Sequence, residues 1–201
     1  MNIGLIPMAA KPYHAGHHWL VERAASENDR VVVFVSTSDR IRKGEKPILG
    51  RDMVRVWQEE LEPIMPGNAE IRYGGSPVQN VYKEIQEAGE AGSEDVFFVY
   101  SDAVDTALNY PQKNRIRYME PLYSLGQVRF PGEEDPAGFT RGEGSPDVSG
   151  TKMRSSLEAC KFEDFRRGLP AGVNAENVYD ILCGGVNEQY LRAWVRAVIA
   201  G

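Results

Sequence analysis

Apolar residues recur along this chain with two alternating periods. Residues 2–8 (NIGLIPM) form a short apolar run punctuated by Gly4 and Pro7, which predicts a buried strand ending near Pro7. A loop over 9–15 follows. Trp19, Leu20, Ala24 and Ala25 then fall at helical spacing over 16–27. Residues 30–36 (RVVVFVS) are nearly continuous in β-branched and aromatic side chains, the pattern of a strand buried on both faces in a parallel sheet. Segment 37–50 is a polar, basic loop, and 51–64 set Met53, Val54, Trp57, Leu61 and Ile64 on one side of a helix. A shorter strand is expected over 69–73, a helix over 77–91 through Val78, Val81, Tyr82 and Ile85, and a buried strand over 95–100. This alternation places four strands and predicts an α/β fold with right-handed crossovers, expected as a doubly wound, parallel, five-stranded Rossmann-like sheet. No repeat of fixed period is present.

The last third reads differently. Residues 131–147 hold seven Gly or Pro residues and several carboxylates, which predicts a flexible loop or lid. Helical spacing resumes at Ser149, continues over 162–167, and recurs at 174–182 and 186–199. We therefore expect a main domain over 1–160 and a helical extension over 161–201 packed on the sheet.

Composition narrows the class. At 201 residues, 42% hydrophobic and 26% charged, the chain can bury one α/β core with extensions, and a disordered or fibrous chain is excluded. Its apolar runs are strand-length, short of the ~20 residues of a membrane span, and the N-terminus lacks the features of a signal peptide. The 23 basic and 29 acidic residues give −6, which disfavours coating of nucleic acid but allows a small basic pocket. Cys160 and Cys183 form no C-x-x-C pair; each is expected to be a small buried side chain in a reducing cytoplasm.

The chemistry concentrates at two places. All three histidines, His14, His17 and His18, lie just after the first strand and at the start of the first helix. Ligands of parallel α/β sheets bind at the carboxyl ends of strands, where helix N-termini offer free N–H groups to phosphate. Gly16 permits close approach of a phosphate, and His14 and His17 can donate to its oxygens as charge develops. His18 is expected to be a bystander. No partnering Cys and no H-E-x-x-H pattern supports a metal site. The second place is Val148-Ser149-Gly150-Thr151-Lys152-Met153-Arg154. Ser149 suits an N-cap, Gly150 allows close contact, and the Thr151 hydroxyl and Arg154 guanidinium can hold phosphate oxygens. Taken alone, the stretch also fits an ordinary capped helix with exposed basic residues.

Pro12-Tyr13-His14-Ala15-Gly16-His17 resembles the Pro-x-His/Thr-x-Gly-His signature of the nucleotidylyltransferase superfamily. Residues 148–154 resemble that family's second signature, Ile/Val-Ser-Ser/Gly/Thr-Thr-x-Ile/Val/Met-Arg. The two lie about 135 residues apart, the spacing of small members, so the resemblance spans roughly residues 1–160. It implies transfer of a nucleotidyl group from a nucleoside triphosphate to a phosphorylated small molecule, with release of pyrophosphate. His14, His17, Lys46 and Arg154 are then the expected catalytic residues, and Met8, Ala9, Lys11, Gly16, Asp102, Ser149, Gly150 and Thr151 the nucleotide-binding ones. Met8-Ala9-Ala10-Lys11 stands where many members carry Gly-x-Phe, and Lys11 itself is placed to reach a phosphate. Lys43-Gly44-Glu45-Lys46-Pro47 is similar to the basic loop by which phosphopantetheine adenylyltransferases hold the acceptor phosphate, with Lys46 the best match and Arg51 and Arg55 as helpers. Asp102 either binds a ribose hydroxyl or caps the next helix. Trp57 either stacks on a substrate ring or packs in the core.

The S-G-T-K-M-R form resembles that of nicotinamide mononucleotide adenylyltransferases most, and also that of ATP sulfurylases, which implies ATP rather than CTP. Mg²⁺, held mostly by water and the triphosphate, is the expected cofactor, with no protein metal site. The expected partners are the nucleotide and a phosphorylated acceptor, without nucleic acid or membrane, and with homo-oligomerisation left open. Competing readings are a cytidylyltransferase, a nonenzymatic nucleotide sensor, and a fragment related to class I aminoacyl-tRNA synthetases, whose KMSKS loop residues 152–156 faintly echo. The absence of Walker A and G-x-G-x-x-G patterns argues against a P-loop kinase and a dinucleotide dehydrogenase.

Overall fold

Along the chain the elements are β1 (Asn2–Met8), α1 (Ala15–Glu27), β2 (Arg30–Val35), α2 (Gly50–Val56), β3 (Ala69–Tyr73), α3 (Pro77–Glu90), β4 (Val96–Val99), α4 (Ala103–Asn109), α5 (Gln112–Tyr118), β5 (Val128–Arg129), α6 (Pro131–Glu134), α7 (Gly150–Glu158), α8 (Phe162–Arg166) and α9 (Ala175–Gly184). This computed structural model describes residues 1–139 and 145–184. Contacts divide the chain into two units that interleave in sequence. The first holds Met1–Ala9, Gly16–Ser36 and Met65–Asp147; the second holds Ala10–Ala15, Thr37–Ile64 and the chain from Val148 onward.

The first unit is the expected doubly wound sheet, five parallel strands in the order β3-β2-β1-β4-β5. β1 lies at its centre, with Leu5 opposite Val32 on one side and Val99 on the other. Five of the six β2 residues are buried, which explains why alternation is absent from its sequence. Ile3, Leu5, Val32, Phe34, Phe97 and Val99 join Val81 and Ile85 of α3 in one apolar core. Ser76 caps α3 by accepting from the Gln79 amide, and Pro77 begins the helix with the residue whose missing N–H is least missed there. The fifth strand is only two residues long, too short to leave a period in the sequence.

Strand order reverses between β1 and β4, so the ends of these two strands flank the switch point where such sheets bind ligands. The Tyr100 amide donates to the Leu5 carbonyl at 2.9 Å, which keeps the chain leaving β4 beside β1.

The segment from 131 departs from a flexible lid over its described first half. Pro131–Glu134 is helical and Ala137–Phe139 forms a 3₁₀ turn. Arg115, nearly buried, grips Glu133 with both terminal nitrogens, Nη1 at 2.9 Å. Arg23 donates to the Gly138 carbonyl at 2.6 Å and lies over the Phe139 ring at 4.4 Å. A Cβ on Gly132 would fall 2.0 Å from the Ser101 carbonyl oxygen. Glycine is there for close backbone approach, so glycine content alone misread this stretch as mobile. Residues 140–144 of the expected lid lie outside the described residues.

In the second unit the expected helix over 51–64 is one continuous helical stretch. α2 passes into a π-helical turn over Trp57–Leu61 and a 3₁₀ turn over Glu62–Ile64, with Met53, Trp57 and Leu61 facing the core. α7, α8 and α9 pack together, with α9 also against α2. The Tyr179 ring meets Phe162 and Phe165 edge-on, and Asn177 donates to Glu60 Oε1 at 2.6 Å. The start of the expected helical extension thus belongs to the unit that holds 37–64; the helix expected over 186–199 lies outside the described residues. The cysteines depart from expectation. Cys160 is exposed at the end of α7 with φ 52, and Cys183 is only half-buried, because both fall at helix ends rather than on an apolar face. Among the described residues, no helix is long and apolar enough to cross a membrane.

Candidate active site

The second unit brings the start of the first motif to the second motif. Ser149 caps α7, its hydroxyl accepting from the Lys152 amide at 3.2 Å, as the sequence led us to expect. One turn on, Arg154 is nearly buried at 8% exposure. Its Nη1 donates to the Lys11 carbonyl at 2.9 Å, its Nη2 to the Thr151 hydroxyl at 3.1 Å, and its Nε lies 2.9 Å from Glu45 Oε2. A Cβ on Gly150 would come within 2.9 Å of Arg154 Nη1, so glycine leaves the guanidinium room to hold this position. Burial, reinforced by the neighbouring Arg40, pulls the Arg154 pKa below the usual arginine value, and Glu45 opposes this.

Lys11 is buried, and its ammonium donates to the Ser38 carbonyl. Burial lowers its pKa, with Asp39 pulling the other way. Tyr13 and His14, next in the motif, are buried too. The Ala15 amide donates to the Gly168 carbonyl at 2.8 Å, and a Cβ on Gly168 would lie 2.1 Å from Met153 Sδ, so a larger residue there requires the buried Met153 side chain to shift.

The loop after β2 supplies the third wall. Arg40 and Ile48 exchange backbone hydrogen bonds at 2.8 and 3.0 Å, and Asp39 accepts from the Gly50 amide at 2.8 Å, so its base is closed. Gly50 is required there, since a Cβ would lie 1.7 Å from the Thr37 carbonyl oxygen. Glu45 sits toward the tip and also receives Arg40, Nε to Oε2 at 3.1 Å and Nη2 to Oε1 at 3.3 Å. Burial alone raises the Glu45 pKa, but Arg40 and Arg154 outweigh it and hold the carboxylate below its ordinary range. Glu45, Gly44, Thr151, Arg154, Ser155 and Glu158 line a cavity of about 210 Å³. The cavity thus borders a buried guanidinium and two carboxylates.

Of the expected acceptor residues, Lys46 is half-buried and close enough to Cys183 to oppose, without cancelling, the upward push that burial gives that thiol. Arg51 is exposed and pairs with Asp52 at 3.5 Å. Trp57 is corrected from a stacking platform to a core residue. It is 0% exposed, its ring centroid lies 4.8 Å from that of Tyr13 in an edge contact, and no face is open to an acceptor. Arg40 and Glu45 were not among the expected site residues. Their signal was present in the sequence, since Glu45 is the one carboxylate between Arg40 and Arg51 in an otherwise basic loop.

The first unit carries the other half of the first motif. Met8 is buried at the end of β1 and Ala9 is exposed beyond it. Gly16 and His17 lie in the first turn of α1, both partly exposed, where the helix dipole favours an anion. His18 is buried, 3.6 Å from Glu22; burial lowers its pKa and Glu22 opposes the shift, which suits a packed rather than a catalytic group. Asp102 caps α4, its Oδ1 accepting from the Asp105 amide at 2.8 Å. Among the described residues, no group of three or more His, Cys, Asp or Glu side chains could hold a metal.

The fold and these residues define a Rossmann-like α/β protein with a buried arginine at a small cavity. Residues 3–62 match the family described as the citrate lyase ligase C-terminal domain. A comparison with curated proteins finds no match. Among solved structures, the crystal structure of Thermotoga maritima TmcAL bound with alpha-thio ATP (Form II) aligns at 13% identity and a TM-score of 0.48, over 93% of this chain and 56% of that one. The chain thus spans little more than half the length of that protein.

Proposed function

We propose that this protein is an adenylyltransferase that moves the AMP moiety of ATP to a phosphorylated small molecule of the nicotinamide mononucleotide type. The observation that carries the reading is the hydrogen bond from Arg154 to the Lys11 carbonyl. It ties the residue just before the first motif to the second motif, 143 positions further on, through the side chain best suited to triphosphate oxygens. The match of residues 3–62 to a ligase domain, a span that contains the first motif, supports it.

In this reading an acceptor phosphate oxygen attacks the α-phosphorus in line. The bond to the oxygen bridging α and β breaks, and pyrophosphate leaves with the electron pair. An acceptor phosphate is already anionic and needs no general base, so catalysis rests on positioning and charge stabilisation. His14 and His17 donate to the oxygens of the reacting phosphate, with Gly16 allowing close approach. Thr151, Arg154 and the capped start of α7 at Ser149 and Gly150 hold the β- and γ-phosphates. Met8, Ala9, Lys11 and Asp102 contact the nucleotide, and Lys46 and Arg51 the acceptor phosphate. Mg²⁺ bound with the nucleotide would neutralise triphosphate charge; among the described residues no cluster of His, Cys, Asp or Glu side chains would hold it, which accords with a metal carried mostly by water and the phosphates.

The test is a panel of ATP and CTP against nicotinamide mononucleotide, phosphopantetheine and sugar phosphates, read by pyrophosphate release. Release with ATP and one acceptor is expected. Release with CTP alone selects cytidylyl transfer. Nucleotide binding without release in any combination selects a sensor and overturns the enzyme.

A further inference from the structure

We propose that Glu45 is a built-in competitor for the triphosphate, an internal carboxylate that occupies the Arg154 guanidinium until a phosphate group displaces it, and that Arg40 becomes a second phosphate ligand when it does. This rests on the phosphate reading of Arg154 given above.

Three features carry it. First, a single carboxylate oxygen, Glu45 Oε2, is shared by two guanidinium groups: Arg154 Nε at 2.9 Å and Arg40 Nη2 at 2.9 Å. Arg40 meets the carboxylate with Nε and Nη2, while Arg154 faces it with Nε alone, its two terminal nitrogens being held by the Lys11 carbonyl and the Thr151 hydroxyl. Two guanidinium groups converging on one anion is an arrangement that also receives a phosphate oxygen, and a guanidinium stays charged throughout. Second, Glu45 borders the 210 Å³ cavity together with Thr151 and Arg154, so it stands where the incoming anion must go. Third, it can leave. Its loop is closed at the base by the Arg40–Ile48 backbone pair and the Asp39–Gly50 bond, while residues 41–44 at the tip are exposed. The tip can swing without disturbing the base or α7.

In the resting state the Glu45 carboxylate compensates two buried or half-buried positive charges and keeps Arg154 aimed across Thr151. A triphosphate, with more charge and more acceptor oxygens than one carboxylate, wins the exchange; a monophosphate or a metabolite carboxylate competes less well. The device thus gives a threshold against weak anions. Apparent affinity falls by the fraction of molecules in which the site is free, so a site nine-tenths occupied by Glu45 weakens binding about tenfold.

The experiment compares wild type, Glu45→Gln, Glu158→Gln and Arg40→Ala by calorimetric titration with inorganic tripolyphosphate, ATP and AMP at fixed salt. Glu158→Gln is the control: it removes one negative charge from the same cavity wall without touching the Arg40–Glu45–Arg154 cluster. The expected result is tripolyphosphate and ATP binding about 5–10-fold tighter in Glu45→Gln, a change below about twofold in Glu158→Gln, and weaker binding in Arg40→Ala. AMP affinity is expected to be nearly the same in all four. If Glu45→Gln binds no tighter, or if Glu158→Gln gains as much, the competitor role is overturned while the phosphate site stands. If neither wild type nor Glu45→Gln binds tripolyphosphate or ATP, both the competitor and the phosphate reading fall. A thermal melt of each variant shows whether the fold is retained, and Glu45→Ala repeats the comparison should Glu45→Gln melt early.

Discussion

Arg154→Ala is the perturbation that most directly probes how the motifs are joined. The substitution removes a charged donor from the Lys11 carbonyl and leaves that carbonyl in a buried setting without its partner. A hydrogen bond to a charged group contributes about 1.5–3 kcal/mol, and an acceptor left buried and unmet forfeits most of that. Loss of the bond to Thr151 and of the packed aliphatic stem adds about 1 kcal/mol. The Glu45 contact is left out of this sum, because it faces solvent and Arg40 still holds the carboxylate. The expected destabilisation is about 2–4 kcal/mol, which for a chain of this size lowers the melting temperature by roughly 5–15 °C. Arg154→Lys keeps the charge but offers no planar fork, so it can satisfy the Lys11 carbonyl or reach toward Glu45 but not both, and about half of the loss remains. Urea denaturation and calorimetry measure stability; titration with ATP and AMP measures binding. ATP affinity is expected to fall far more than AMP affinity. A variant within 0.5 kcal/mol of wild type refutes the structural argument, and equal losses for ATP and AMP refute the assignment to the β- and γ-phosphates.

Three further outcomes are expected. Gly50→Ala drives a Cβ into the Thr37 carbonyl at 1.7 Å and destabilises the protein by about 3 kcal/mol or more, read from the urea midpoint. Glu70, bonded by Arg72 and Arg30, has its pKa pushed down to about 2. Its contribution is therefore full above the unfolded value near 4.5 and is lost as pH falls from there toward 2, so the stability gap between wild type and Glu70→Gln closes over that window in acid denaturation. His17→Ala is expected to cut turnover by about 10²–10³-fold with a smaller effect on nucleotide affinity, while His18→Ala changes little; near wild-type turnover in His17→Ala removes that residue from the chemistry.

The strands β1, β2 and β4 and the helices α1 and α3 were legible in the chain, because burial on a regular element leaves a period that local reading detects. The N-cap at Ser149 was legible for the same reason, since capping depends on a residue and its neighbours three positions on. What depends on residues far apart was not. Gly132 looked like flexibility, yet its purpose is the approach of the Ser101 backbone, 31 positions away. Trp57, at core spacing, favoured packing over stacking on a ligand, and its burial against Tyr13 shows that it packs. Arg40 and Glu45 read as one more basic loop until the fold carried Arg154, more than a hundred positions later, onto the same carboxylate. Local periodicity records which side of an element is apolar. It carries no record of which distant charge that element meets, because the partner is chosen by the path of the chain through the tertiary structure.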